Sequence, residues 1–187
     1  RYQMALFVAR VSTGWVEDSQ WEDGPENWTE FNDIGDEPAN KYLGALSYAN
    51  EKGIIEGYGD GRFGPYDGIT YQNALTMVVR TLGYQGLSWP WGYIQKGVDL
   101  GLTREITGVA YTDVLTRAEV AQIIYNAMFA ETKDGTTLAA KSFGLNLEWR
   151  NVIVTATDIA KIFADGSTTY NALTRNQNYE ERVIEIM

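Results

Sequence analysis

The chain contains no cysteine and no histidine among its 187 residues. Without cysteine there is no disulfide framework and no thiolate metal site. Without histidine the commonest general base and the commonest zinc ligand are missing, so Ser-His-Asp and Cys-His catalysis are excluded. No apolar run approaches the roughly 20 residues that span a bilayer, which excludes membrane insertion by a helix. No leader is visible, and an opening at Arg1 rather than Met reads as a piece of a longer protein. Cationic residues are also scarce: Lys and Arg number 15 against 25 Asp and Glu, for a net charge of -10. Such a field repels nucleic-acid phosphates.

What the chain does have is aromatic and apolar surface, with six Trp, twelve Tyr and six Phe, and 44% hydrophobic residues. That suffices for one proper core. Aromatic faces suit cores, and they also suit sugar rings.

Residues 2–13 place Met4, Phe7, Val8 and Val11 on one helical face. The stretch that follows has no Lys or Arg between Val11 and Asn40. It holds nine acidic residues between Glu17 and Glu37 and reads as a long, solvated surface loop rather than a calcium site. Helices are expected over 39–52, from Ile69-Thr70 to near Gly83, over 91–100 and from Thr116 to about Ala130. A short helix fits 137–143, and β-branched residues give strand character to 151–157 and 182–187.

The helices recur. Gly101 aligns on Gly53 at an offset of about 48, and Thr116 on Thr70 at about 46. The first helix has the phase of both later ones. Met4, Ala74 and Val120 coincide, as do Phe7, Met77 and Ile123, then Val8, Val78 and Ile124; Arg10 falls on Arg80. Internal repetition of this length implies stacked helix–loop–helix units.

Thr116-Arg117-Ala118-Glu119 is the sharpest local motif. Thr116 fits an N-cap and Glu119 its N3 partner, a capping box; Gln3 holds the corresponding N3 place in the first helix. Arg117 falls at N1, where the helix dipole disfavours a cation. It therefore implies either an anionic ligand or a local carboxylate partner. The loop 57–63 lacks the Gly-Lys-Ser/Thr of a phosphate loop and the ligand spacing of an EF-hand. It reads as a tight turn with Phe63 in the core and positive φ among its glycines. Asp60 either caps that turn or accepts hydrogen bonds from sugar hydroxyls.

Taken in order, these pieces resemble S-layer homology repeats. They are Phe31-Asn32-Asp33-Ile34, Gly53-Ile54-Ile55, Gly57, Asp60-Gly61, Phe63-Gly64-Pro65, Ile69-Thr70 and Leu115-Thr116-Arg117-Ala118-Glu119. The resemblance covers about residues 1–130. It implies a mainly α fold of three tandem helix–loop–helix repeats in a pseudo-threefold bundle, followed by a small β-containing C-terminal extension. The units would be 1–28 (the helix and loop of a truncated first repeat), 29–84, 85–130 and an extension at 131–187.

The implied role is non-catalytic, cofactor-free anchoring outside the cell. The module would hold a bacterial surface protein on secondary cell-wall polysaccharide, often through a pyruvylated sugar. Other surface-layer proteins are further implied partners. Arg117 matches the family's ligand-binding arginine, and Arg1 matches it in the first copy. Asp60, Gly61, Tyr71 and Trp91 are further candidates, the two aromatics as a wall for a sugar ring. The middle copy departs from the pattern, with Tyr71 in place of Arg and Asn73 in place of Glu, and the third copy lacks the Gly-Asp-Gly loop. Binding confined to one or two grooves follows, or a degenerate module kept for protein–protein assembly. A hydrolase with its catalytic part beyond residue 187 is a more distant reading.

Overall fold

The computed structural model describes residues 1–22, 30–35, 40–153 and 178–186. Within them the chain is mainly α-helical. The helices are α1 (Tyr2–Thr13), α2 (Ser19–Glu22), α3 (Leu43–Glu51), α4 (Tyr71–Thr81), α5 (Trp91–Asp99), α6 (Arg117–Phe129) and α7 (Leu138–Phe143). Two strands, β1 (Leu145–Ile153) and β2 (Asn178–Ile186), pair antiparallel, from Leu145 opposite Ile186 to Ile153 opposite Asn178. Strand character thus begins six residues before the expected position 151. Residues 154–157 and 187 lie outside the described residues.

The recurring apolar stripe has a physical destination. Helices α1, α4 and α6 pack against one another. They bring Met4, Val8, Ala74, Met77, Val78, Val120 and Ile123 into one core. Phe7 and Ile124 pack at its margin.

The helix starts are tied by hydrogen bonds that repeat along the chain. The Arg1 backbone nitrogen donates to Asp67 O at 2.8 Å, and Tyr2 N donates to Pro65 O at 3.0 Å. At the start of α4, Tyr71 N donates to Asp113 O at 2.9 Å and Gln72 N to Tyr111 O at 2.8 Å. Positions 71 and 72 are 1 and 2 shifted by 70; positions 113 and 111 are 67 and 65 shifted by 46. Each of these helix starts is therefore clasped by the loop that leads into another helix.

The acidic stretch is more than a solvated loop. It folds a single helical turn, α2, whose Trp21 is buried with Leu6, Ala9 and Ala45 in a satellite cluster. Trp21 Nε1 donates to Trp15 O at 2.9 Å, which makes burial of the indole affordable. Phe31 and Ile34 enter the main core. Charge density obscured these anchors in the sequence. Residues 23–29 and 36–39 of the stretch lie outside the described residues, together with the Asn27-Trp28-Thr29 segment.

The bundle also extends past residue 130. Leu138 and Ala139 of α7 are fully buried, and α7 packs on α1 and α6. Ser142 Oγ donates to Ser12 O at 3.1 Å. Gly14, at φ 76°, ends α1 beneath this contact; a Cβ there would lie 2.2 Å from Ser142 O, so only glycine fits. The first part of the expected extension is thus a structural member of the helical core.

Candidate functional site

The loop after α3 forms one side of a groove. Lys52 ends α3, and Ile54 N and Ile55 N both return to Ala49 O. Burial of both isoleucines pins the loop. Tyr58 N donates to Arg62 O at 2.8 Å, closing a tight turn with positive φ at Gly59 and Gly61. Phe63 is fully buried and stacks on Phe31 at 5.3 Å. Asp33 fixes the turn from below, accepting from Phe63 N at 2.9 Å and Gly64 N at 2.8 Å. A Cβ at Gly57 would meet Arg62 O at 2.5 Å and the Phe31 ring at 2.8 Å, which explains the glycine.

Across from this loop stands α4, and Arg1 closes one end. The groove encloses about 420 Å³, and its polar walls are Arg1, Glu56, Thr70, Gln72, Asn73, Thr76 and Arg80. Tyr58 and Trp89 add aromatic faces that are 50% and 57% exposed. The Arg1 guanidinium lies 4.4 Å over the Tyr58 ring and 4.8 Å from the Phe63 ring, and Nη2 donates to Glu56 O at 3.1 Å. Arg80 Nε donates to the Tyr93 hydroxyl at 3.1 Å, and its Nη2 meets Glu56 Oε1 at 3.0 Å.

Two buried polar atoms on this groove lack a hydrogen-bond partner within the described residues: Arg1 Nε and Thr70 Oγ1. Thr70 is the N-cap of α4, yet its side chain makes no capping bond. A buried polar atom left in this state costs stability unless something else satisfies it.

A second groove, of about 280 Å³, runs between the starts of α1 and α6. Tyr2, Gln3, Tyr66, Thr116 and Arg117 line it, with Arg1 at the edge. Arg117 begins α6; it is exposed, and its side chain forms no ion pair or hydrogen bond with the described residues. Thr116 and Glu119 make a full capping box: Glu119 N donates to Thr116 Oγ1 at 3.3 Å, and Thr116 N donates to Glu119 Oε2 at 2.6 Å. That carboxylate is directed at its own helix start, and Glu119 does not line the groove. Gln3 does not cap α1; its amide contacts the Tyr2 hydroxyl at 3.5 Å.

Other sequence candidates sit elsewhere. Asp60 forms an exposed ion pair with Arg62 at 2.8 Å, and that hydrogen bond holds its carboxyl below the usual range. Neither Asp60 nor Gly61 lines either groove. Tyr71 is buried at 3% exposure against Tyr111, with ring centroids 5.2 Å apart, and cannot flank a sugar. Burial, with the nearby Tyr111 and Glu119, pushes its hydroxyl up to about 12. Trp91 is 69% exposed, set edge-on to Tyr111, and outside both grooves. The aromatic walls are instead Tyr58 and Trp89.

The positions equivalent to Arg1, Arg80 and Glu56 later in the chain carry different side chains. At an offset of 46, Arg80 becomes Asn126; at 48, Glu56 becomes Arg104. Asn126 is buried and donates to Leu102 O at 3.1 Å and to Arg104 O at 2.8 Å. With Tyr71 in place of Arg1, the corresponding positions hold a tilted Tyr71–Tyr111 pair and an amide bonded to two backbone oxygens. The alignment of Arg10 with Arg80 was the one signal in the sequence that pointed to Arg80; in α1 the equivalent Arg10 pairs with Asp18.

Comparison with known proteins agrees with this architecture. Residues 30–74 match the S-layer homology domain. The chain is 33% identical over 129 residues to a cell surface protein of Thermoanaerobacter kivui, covering 68% of this chain and 16% of that protein. It is 33% identical over 91 residues to the middle cell wall protein of Brevibacillus brevis, covering 46% of this chain and 8% of that protein. A surface layer protein of Brevibacillus choshinensis is 36% identical over 69 residues, covering 35% of this chain and 6% of its own length. The chain thus spans less than a fifth of each of these relatives. No solved structure gives a significant match. With its helical core, its Asp33-clamped glycine loop and these relatives, the chain belongs to the S-layer homology family of bacterial cell-surface anchoring modules.

Proposed function

We propose that the groove between the 54–58 loop and α4 binds a carboxylate-bearing cell-wall polysaccharide, and that this contact anchors the larger surface protein. The observation that carries the reading is the convergence of Arg1 and Arg80 on one aromatic-walled groove that holds two unsatisfied buried polar atoms. Guanidinium forks recognise planar carboxylates, and a charge-assisted bond of this kind is worth about 1.5–3 kcal/mol. A pyruvyl ketal on a sugar presents such a carboxylate beside a ring that Tyr58 or Trp89 can face. Because the chain carries a net charge of -10, attraction to an acidic polymer is local and not global. Arg117 offers a second, smaller contact point along the same polymer, and repeated contacts raise avidity.

In this reading residues 1–28, 29–84 and 85–130 are three copies of one unit, and only some of the spaces between them remain open. The replacement of Arg1 and Arg80 by Tyr71 and Asn126 at the equivalent positions favours a second reading, in which the degenerate face serves assembly with other surface-layer proteins.

Co-sedimentation of the 187-residue chain with wall sacculi tests the proposal. Binding is expected to intact sacculi and to be lost once the acidic polymer is extracted; Arg80→Ala and Arg1→Ala are expected to weaken it at least tenfold. Equal binding to extracted and intact sacculi refutes the polysaccharide reading.

A further inference from the structure

Both arginines of the larger groove are engaged by a single residue. Glu56 offers its backbone oxygen to Arg1 and its carboxylate to Arg80. The two ends of the Glu56–Arg80 pair differ in exposure: the Glu56 side chain is 69% exposed and that of Arg80 only 11%. The cation belongs to the floor of the groove, where Tyr93 holds it. The carboxylate reaches in from solvent.

An ion pair with one such exposed partner contributes little to the fold. The loop does not depend on it, since Ile54 and Ile55 are anchored by burial and by Ala49 O. In the third unit the arginine and the acid are absent together, replaced by Asn126 and Arg104.

We propose that the Glu56 carboxylate is an exchangeable internal anion that occupies the ligand's place on Arg80 and makes the groove selective for polymers carrying several acidic groups over free small acids. This rests on the acidic-polysaccharide reading of the groove. A lone carboxylate that reaches Arg80 replaces one carboxylate by another and gains little. It also meets the repulsion of the displaced Glu56, an element that acts against the wrong ligand. A polymer engages Arg80, Arg1 and the aromatic faces together, so each further contact forms at high effective concentration. Displaced Glu56 returns to water at small cost because it is already mostly solvated.

The test uses Glu56→Gln and Glu56→Asp in the 187-residue chain. Affinity is measured for the acidic polymer released from sacculi, and for pyruvate as a single carboxylate, by its ability to displace that polymer. Glu56→Gln is expected to bind pyruvate tighter, by up to about fivefold, the scale expected for loss of one competing surface ion pair. Its gain for the polymer is expected to be smaller, so that the preference for polymer narrows. Glu56→Asp, which keeps the charge, should stay closer to wild type. Unchanged or weaker pyruvate binding by a folded Glu56→Gln overturns the proposal, as does unfolding of that variant, which would make Glu56 a structural residue. If Arg80→Ala retains the polymer as well as wild type does, the acidic-ligand reading itself fails, and the role of Glu56 falls with it.

Discussion

Replacing Phe63 by alanine probes the link between the core and the larger groove. The ring is fully buried, stacks on Phe31 at 5.3 Å and supports the Arg1 guanidinium at 4.8 Å. Truncating a buried Phe to Ala costs about 3–5 kcal/mol, from lost transfer energy and the cavity left behind. The aromatic pair accounts for about 0.5–1.5 kcal/mol of interaction beyond burial. For a chain of this size each kcal/mol moves the melting midpoint by about 2–4 °C, so the midpoint should fall by about 6–20 °C. Thermal unfolding followed by circular dichroism at 222 nm, a wavelength that reports helix, provides the measurement. Polymer binding at a temperature where the variant remains folded should also fall, because Arg1 has lost the surface on which it lies. A drop of less than about 3 °C would refute the placement of Phe63, since no buried aromatic is removed so cheaply.

Further outcomes follow from the helix starts and the last turn before α7. Arg117→Ala should weaken polymer binding about tenfold, equivalent to about 1.4 kcal/mol, with an unchanged melting midpoint; Arg117→Lys should restore only part, lacking the planar fork. A fall in the midpoint would instead mark Arg117 as structural. Thr116→Ala should cost about 1 kcal/mol by loss of the capping box, and Thr116→Ser should recover it, as read by chemical denaturation. The Asp134 carboxyl is held well below its ordinary value of 3.8 by Lys141, Thr132 and Thr136. A depressed folded-state pKa gives stability that is fully present above the unfolded value and is lost as pH falls towards the folded one. The stability gap between wild type and Asp134→Ala should therefore be constant near neutrality and narrow below about pH 4. It should also be small and salt-sensitive, since the group is exposed; a gap that widens in acid contradicts the assignment.

The helical frame was legible because it is written in period. Met4, Phe7 and Val8 repeat the phase of Met77, Val78, Ile123 and Ile124, and burial of one stripe per helix needs little else. Phe63 and the glycines beside it were legible because a tight turn restricts residue choice. The site was less so. Arg80 lies near the end of α4, seventy residues from its equivalent Arg10, and nothing local marks it as facing Arg1. Glu56 and Trp89 belong to loops whose direction depends on packing against other units. Asp60 was read either as a cap of its turn or as a sugar contact, and the cap is what forms: it accepts from Arg62 N at 3.1 Å and from Arg62 Nε at 2.8 Å. Tyr71 was placed correctly at a helix start, but its burial depends on Tyr111, forty residues later. Trp21 was hidden by the nine acids of the stretch around it, and nothing in the sequence set it apart from Trp15 as the one that is buried.

The contact of α7 with α1 sets the order in which the module can be completed. Ser142 reaches Ser12 across 130 residues, and Leu138 fills a core whose other walls begin at Met4. Interactions of such sequence separation form late, because the chain between them must be ordered before they can close. During synthesis the side of α1 that faces α7 is therefore uncovered until the chain past residue 142 is free to fold. A nascent chain halted before that point would leave this side available to chaperones or to neighbouring chains. Among the described residues, α7 is thus the helix whose arrival completes the packing around α1.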